Sequence, residues 1–224
     1  MKSMLRMALR NSEYVGPRTS RVIAGLLLFA GIVAAVGGVV YAVNGATQAP
    51  ATVTVPINIE ADNGAPRGPI PVSVDDVAVP NGARLQVDPN GLQLVAEAGN
   101  ASRWTGFLAR GDAALIGLGF GACALILVPV VNAVAAGDPF RRGNAARIGW
   151  TGAIVGVVGM VAPMLPNFAA LAVSTSFDAA DGANPFAVVF GIGFAPIGIA
   201  ALIFVVAQAF RRGTQISADI AGLV

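Results

Sequence analysis

Four long apolar runs, Val22 to Val43, Ala113 to Ala136, Ile148 to Val173 and Pro185 to Ala209, constrain this chain more than any other feature. As a helix rising about 1.5 Å per residue, the first would measure about 33 Å, enough to cross a hydrocarbon core of about 30 Å. Each run exceeds the length of about 18 residues beyond which a buried soluble helix becomes the poorer explanation. Composition agrees, with 55% of residues hydrophobic and 12% charged, whereas a soluble domain carries charge on about a quarter of its positions. The expected fold is therefore an all-α transmembrane four-helix bundle. With no histidine and one cysteine, Cys123 inside the second run, an intrachain disulfide, the usual His/Cys metal sites and histidine catalysis are excluded.

A basic leader, Lys2, Arg6, Arg10, Arg18 and Arg21, precedes the first run. That run is too long for the apolar core of a secretory signal, and Thr47-Gln48-Ala49 is a poor cleavage site, so it reads as a retained anchor. Cytoplasmic flanks are enriched in Lys and Arg. The leader, Arg141, Arg142 and Arg147 after the second span, and Arg211 and Arg212 after the fourth place ten cations on one side. The other side has four, Arg67, Arg84, Arg103 and Arg110, with nine acids. The basic groups flank apolar runs, which predicts membrane-flanking charge and no direct nucleic-acid binding. The expected topology is N-in and C-in: a leader 1–21, spans 22–43, 113–136, 148–173 and 185–209, outer segments 44–112 and 174–184, an inner loop 137–147 and an inner tail 210–224. The Ala/Gly/Val-rich composition points to a bacterial cytoplasmic membrane. Lys2, Arg6 and Arg10, four apart, would line one face of a short helix on anionic lipid, or belong to a frayed leader that only sets topology.

Within these limits the spans contain no Asp, Glu, Lys, Arg or His, the usual marks of an ion path or proton relay. The remaining polar residues, Asn132, Thr151, Asn167 and Gln208, read as interfacial or interhelical hydrogen-bonding groups. Pro129, Pro163, Pro166 and Pro196 predict kinks. Small residues four apart, Ala30/Ala34/Gly38, Gly117/Gly121 and Gly152/Gly156, predict close helix approach within a bundle.

Between the first two spans, apolar and polar residues alternate from Ala51 to Glu60, the period of a strand, with Pro56 marking an edge or a bulge. Leu85 and Val87 are expected to face Leu92 and Leu94 across an Asp88-Pro89-Asn90-Gly91 turn. With a shorter strand near Ile70 to Val74, this predicts a small extracytoplasmic β-rich insertion packed on the outer helix ends. Asn100-Ala101-Ser102 fits a glycosylation sequon, but in a bacterial chain it reads as unmodified. The adjacent acids Asp75 and Asp76 read as a solvated loop.

Phe140-Arg141-Arg142-Gly143 and Phe210-Arg211-Arg212-Gly213 follow the second and fourth spans. Each sets an aromatic at the interface with snorkelling cations beyond it. Together with Gly137-Asp138-Pro139-Phe140, Asn144 to Gly149 and the ending Thr214 to Val224, these residues resemble the bacterial DUF2975 membrane family. Its members show a Pro-Phe and Asn element after the second span and a Phe-Arg-x-Gly, aliphatic, acidic terminus. The resemblance singles out Pro139, Phe140, Asn144, Phe210, Arg211, Gly213, Asp219 and Val224 as candidate interaction residues. The tail here is poorer in acids than is usual there, with Asp219 alone. The resemblance implies no activity and no cofactor, but does imply a helix-turn-helix regulator as partner.

The function expected on these grounds is that of a non-catalytic sensor, regulatory or scaffold partner acting through the outer β segment, inner loop and tail. The alternative is a small transporter or channel built as a homo-oligomer, motivated by the prolines and small-residue faces. An enzyme would need a nucleophile beside a base or a metal cluster, and the sequence offers neither.

Overall fold

The computed structural model describes residues 17–48, 51–59, 84–87, 94–174, 186–187, 190 and 193–221. In chain order the elements are α1 (Pro17–Thr47), β1 (Ala51–Ile59), β2 (Arg84–Val87), β3 (Leu94–Ala101), α2 (Arg103–Ala109), α3 (Gly111–Ala135), α4 (Asn144–Val161), α5 (Met164–Ser174), β4 (Phe186–Ala187) and α6 (Ala195–Ala221). Four stretches, Arg18–Thr47, Gly111–Ala135, Asn144–Val173 and Ala195–Asp219, are helices long and apolar enough to cross a membrane. This is the pattern of a multi-pass membrane protein.

The helices place residues by size in a way that water would not favour. On α1 the buried positions are Ser20, Ala24, Gly31, Ala42 and Gly45, while Leu26, Phe29, Val33, Val36 and Val40 are exposed. In lipid, large apolar side chains gain nothing by leaving the surface, and close contact between small residues holds helices together.

Two compact units divide the chain, one drawn from Met1–Ala35, Gly117–Gly159 and Phe194–Val224, the other from Val36–Ile116 and Met160–Gly193. In the first, α3 is contacted on two sides. A Cβ on Gly121 would lie 3.0 Å from the Gly31 carbonyl oxygen and 3.1 Å from Ala35 Cβ, and one on Gly117 would collide with the Ala34 carbonyl. On another side of α3, a Cβ on Gly119 would lie 2.9 Å from Val158 of α4. The Gly152/Gly156 pair meets Ala200 and Ile203 of α6. The small-residue pairs of α3 and α4 are thus contact faces within the chain. On α1 the stripe differs by one residue from that expected, since Ala30 is exposed and Gly31 is buried in its place.

In the second unit, β1 pairs antiparallel with β3 and β3 with β2, while β4 joins the free edge of β1, for a sheet order β2-β3-β1-β4. Register shifts between Ala51 and Val53. Val87 pairs with Leu94 and Leu85 with Ala96, two residues beyond the register that a four-residue turn would impose. The turn itself and the strand expected near Ile70 to Val74 lie outside the described residues. β1 packs against α2 and α5, which also pack against each other. Arg110 sits over the Tyr41 ring at 5.0 Å and donates to Gln48 Oε1 at 3.3 Å, tying the end of α1 to the turn before α3.

The sequence reading did not anticipate α2. Ser102, the sequon's third residue, is its N-cap, its hydroxyl oxygen accepting from the Thr105 amide at 3.1 Å. Trp104 and Phe107 stack at 5.6 Å with Trp104 exposed, as aromatics do at a membrane interface. Ser102→Ala is expected to destabilise the protein by about 1 kcal/mol, and Ser102→Asp to leave it unchanged, in detergent thermal unfolding.

Three span expectations need correction. The fourth helix begins at Ala195, ten residues after Pro185, because Phe186 and Ala187 pair with Ile59 and Asn58 in the sheet. The third span is two helices, α4 and α5, separated at Ala162 and Pro163, where proline removes the amide that continuity requires. Pro166 and Pro196 produce no kinks of their own, since each lies in the first turn of a helix, where its missing N–H has no intrahelical acceptor. Pro129 lies inside α3.

Candidate functional site

The segment from Gly137 to Asn144 is built from helix-ending and helix-starting chemistry. Gly137, at φ +78°, closes α3: its amide donates to Val134 O at 3.0 Å, and the Asp138 amide to Ala133 O at 3.0 Å. These two bonds form a Schellman motif, whose left-handed residue favours glycine, and Pro139 follows where the helix cannot continue. The chain turns back through Arg141, whose amide donates to Asp138 O at 3.4 Å, and Gly143, at φ +95°, delivers it into α4.

Asn144 fixes the loop. Its side chain is fully buried, at 0% exposure. Its Nδ2 donates to Pro139 O at 3.0 Å, and its Oδ1 accepts from Arg147 Nη1 at 3.2 Å. Both ends of the amide are therefore used, as burial requires. Asparagine supplies a donor and an acceptor on one short arm, which no aliphatic or acidic residue does. One turn later the buried Thr151 hydroxyl donates to Arg147 O at 3.1 Å, satisfying the polar group of the span within its own helix.

The tail meets this loop through α6, which runs past the end of the apolar run at Ala209 as far as Ala221. Phe210 lies against Phe140 with ring centroids 5.6 Å apart and planes at 56°, a geometry favoured by aromatic quadrupoles. The Thr214 hydroxyl is 2.9 Å from both Phe140 O and Phe210 O and donates its single proton between them. Gly213 leaves room for the Phe140 ring, which any Cβ there would strike. An interfacial aromatic on each segment thus becomes one half of a joint.

Of the residues singled out from sequence, Pro139, Phe140, Asn144, Phe210 and Gly213 come together here. Arg211 is adjacent and exposed. Asp219 is exposed on α6 five residues beyond Thr214, and the structure gives it no bond to the loop. Val224 lies outside the described residues. Sequence reasoning missed Thr214 and the Arg147 bond to Asn144. A threonine in a helix is usually satisfied by its own i−4 carbonyl, so nothing in the sequence signalled that the same hydroxyl reaches residue 140. Around the joint Arg141, Arg142, Arg211 and Arg212 are all exposed, giving a cationic surface over an apolar and hydrogen-bonded base.

No family model, curated protein or solved structure matches this chain.

Proposed function

We propose that the protein is a non-catalytic regulatory or scaffold partner in a bacterial cytoplasmic membrane, with both termini inside. The observation that carries this reading is the joint itself. The two segments richest in distinctive residues, 138–147 and 210–216, are held as one surface by the Phe140–Phe210 contact and the Thr214 hydroxyl. A partner that gripped the tail would pull on the loop between the second and third spans through those contacts. In the same reading the strands between the first two spans belong to a small β-rich domain on the outer side. The resemblance to the DUF2975 family adds a soluble helix-turn-helix regulator as the inner partner.

The test is a mild-detergent pull-down from native membranes with a tag at the N-terminus. The full chain is compared with one ending at Gln215, which keeps Thr214 and the joint but removes the exposed end of α6. Loss of a co-purifying soluble regulator on truncation is the expected result. Recovery of a self-associated complex alone, unchanged by truncation, would sink the regulatory reading and direct the next measurement to liposome flux.

A further inference from the structure

Beside the joint, and sharing Thr214 with it, the loop and α6 line an open groove of about 750 Å³ that includes neither ring of the aromatic pair. Its α6 wall changes character along the helix. Phe204 and Val205 lie within the apolar run, and Gln208, Arg211 and Gln215 follow on the Phe204 face at helical spacing. Arg142 closes it from the loop, and no acidic side chain lines it. Among the described residues neither the Arg142 nor the Arg211 guanidinium has an ion-pair or hydrogen-bond partner. Two unneutralised cations share one apolar-walled space at the level where the apolar run ends.

We propose that this groove binds one anionic phospholipid, its phosphodiester between Arg142 and Arg211 and an acyl chain against Phe204 and Val205. The polarity gradient selects this occupant. A soluble phosphate would use the arginines but not the apolar wall, and an acidic peptide would have to enter hydrocarbon to reach Phe204. Arginine suits the task because its planar fork meets phosphate oxygens in pairs and is more weakly hydrated than lysine. Bound there, the lipid bridges the loop and the tail with no acidic side chain in the lining to repel it, and the site stands whether or not a protein docks on the joint.

Native mass spectrometry of the full chain in mild detergent tests it, with phosphatidylglycerol and phosphatidylcholine of matched acyl chains as probes. The wild type is expected to retain one phosphatidylglycerol at a concentration at least tenfold below that needed for phosphatidylcholine. Arg142→Ala with Arg211→Ala is expected to abolish the preference. Arg141→Ala with Arg212→Ala, an equal charge change outside the groove lining, is expected to keep it, as is Arg142→Lys with Arg211→Lys within about threefold. A wild type without preference, or equal loss in both alanine pairs, would overturn the proposal. So would displacement of the lipid by glycerol phosphate at equal concentration, which would mark a site for soluble anions.

Discussion

Alanine at Gly38 is expected to destabilise the protein by about 3 kcal/mol, near the upper end for overpacking a tight contact, while alanine at its neighbour Gly37 leaves stability unchanged or raises it by up to about 1 kcal/mol. The two glycines are adjacent on α1 yet face opposite surroundings. A Cβ on Gly38 would run into the Ala113 carbonyl and lie 3.2 Å from Ala114 Cα, whereas one on Gly37 would meet nothing within 4 Å. Backbone atoms cannot rotate out of the way, so α1 and α3 would have to part at this level. Where packing, and not expulsion of water, holds helices together, that separation forfeits the dispersion contacts of the whole stripe. At Gly37 the added methyl only removes freedom from the unfolded chain. Reversible unfolding in detergent, followed by the fluorescence of Trp104 and Trp150, measures both changes. Equal effects at the two positions would mean that α1 does not contact α3 through this face.

The four spans were legible in the sequence because crossing hydrocarbon demands apolar length whatever the neighbours are. Their ends were less so, since hydropathy reports the slab and not the helix. α6 continues for twelve residues beyond Ala209 because nothing from Phe210 to Ala221 ends a helix; the one glycine of that stretch, Gly213, lies inside it. At the other end, Pro185 to Phe194 is apolar enough to extend the span, yet Phe186 and Ala187 pair with β1. Edge pairing depends on a partner more than a hundred residues away, and no local pattern carries it. The small-residue pairs predicted close approach, but whether Ala30 or Gly31 faced inward depended on helix rotation, which short side chains leave almost unmarked.

The loop motif illustrates the difference between a pattern and its cause. Gly137, Pro139 and Asn144 attracted notice together, and the structure separates their work. Gly137 supplies a left-handed residue, Pro139 blocks further helix, and Asn144 returns to bond Pro139. Helix-ending chemistry accounts for the first two without any partner. Asn144 joins the loop to the first turn of α4, and Phe140 is the residue whose contacts reach α6.

Asn144→Ala is therefore expected to loosen the loop while leaving the spans in place. It removes the donor to Pro139 O and the acceptor for Arg147; with both partners half-buried, losing the two bonds costs about 1–1.5 kcal/mol. Because every 1.4 kcal/mol is about a factor of ten in an equilibrium, and proteolysis tracks the open population when reclosing is fast, trypsin cleavage at the exposed Arg141 and Arg142 should accelerate about tenfold. Asn144→Asp resolves which bond matters. A carboxylate keeps an acceptor for the Arg147 guanidinium, strengthens it by charge, and turns a lone pair towards the Pro139 carbonyl in place of a donor. If the aspartate variant cleaves as fast as the alanine one, the bond to Pro139 holds the loop. If it resists like the wild type, Arg147 does, and the loop is secured from α4 instead of from its own turn. Cleavage at the wild-type rate in both variants would show that Phe140, held by Phe210 and Thr214, is sufficient, so that the tail and not Asn144 sets the conformation of the loop.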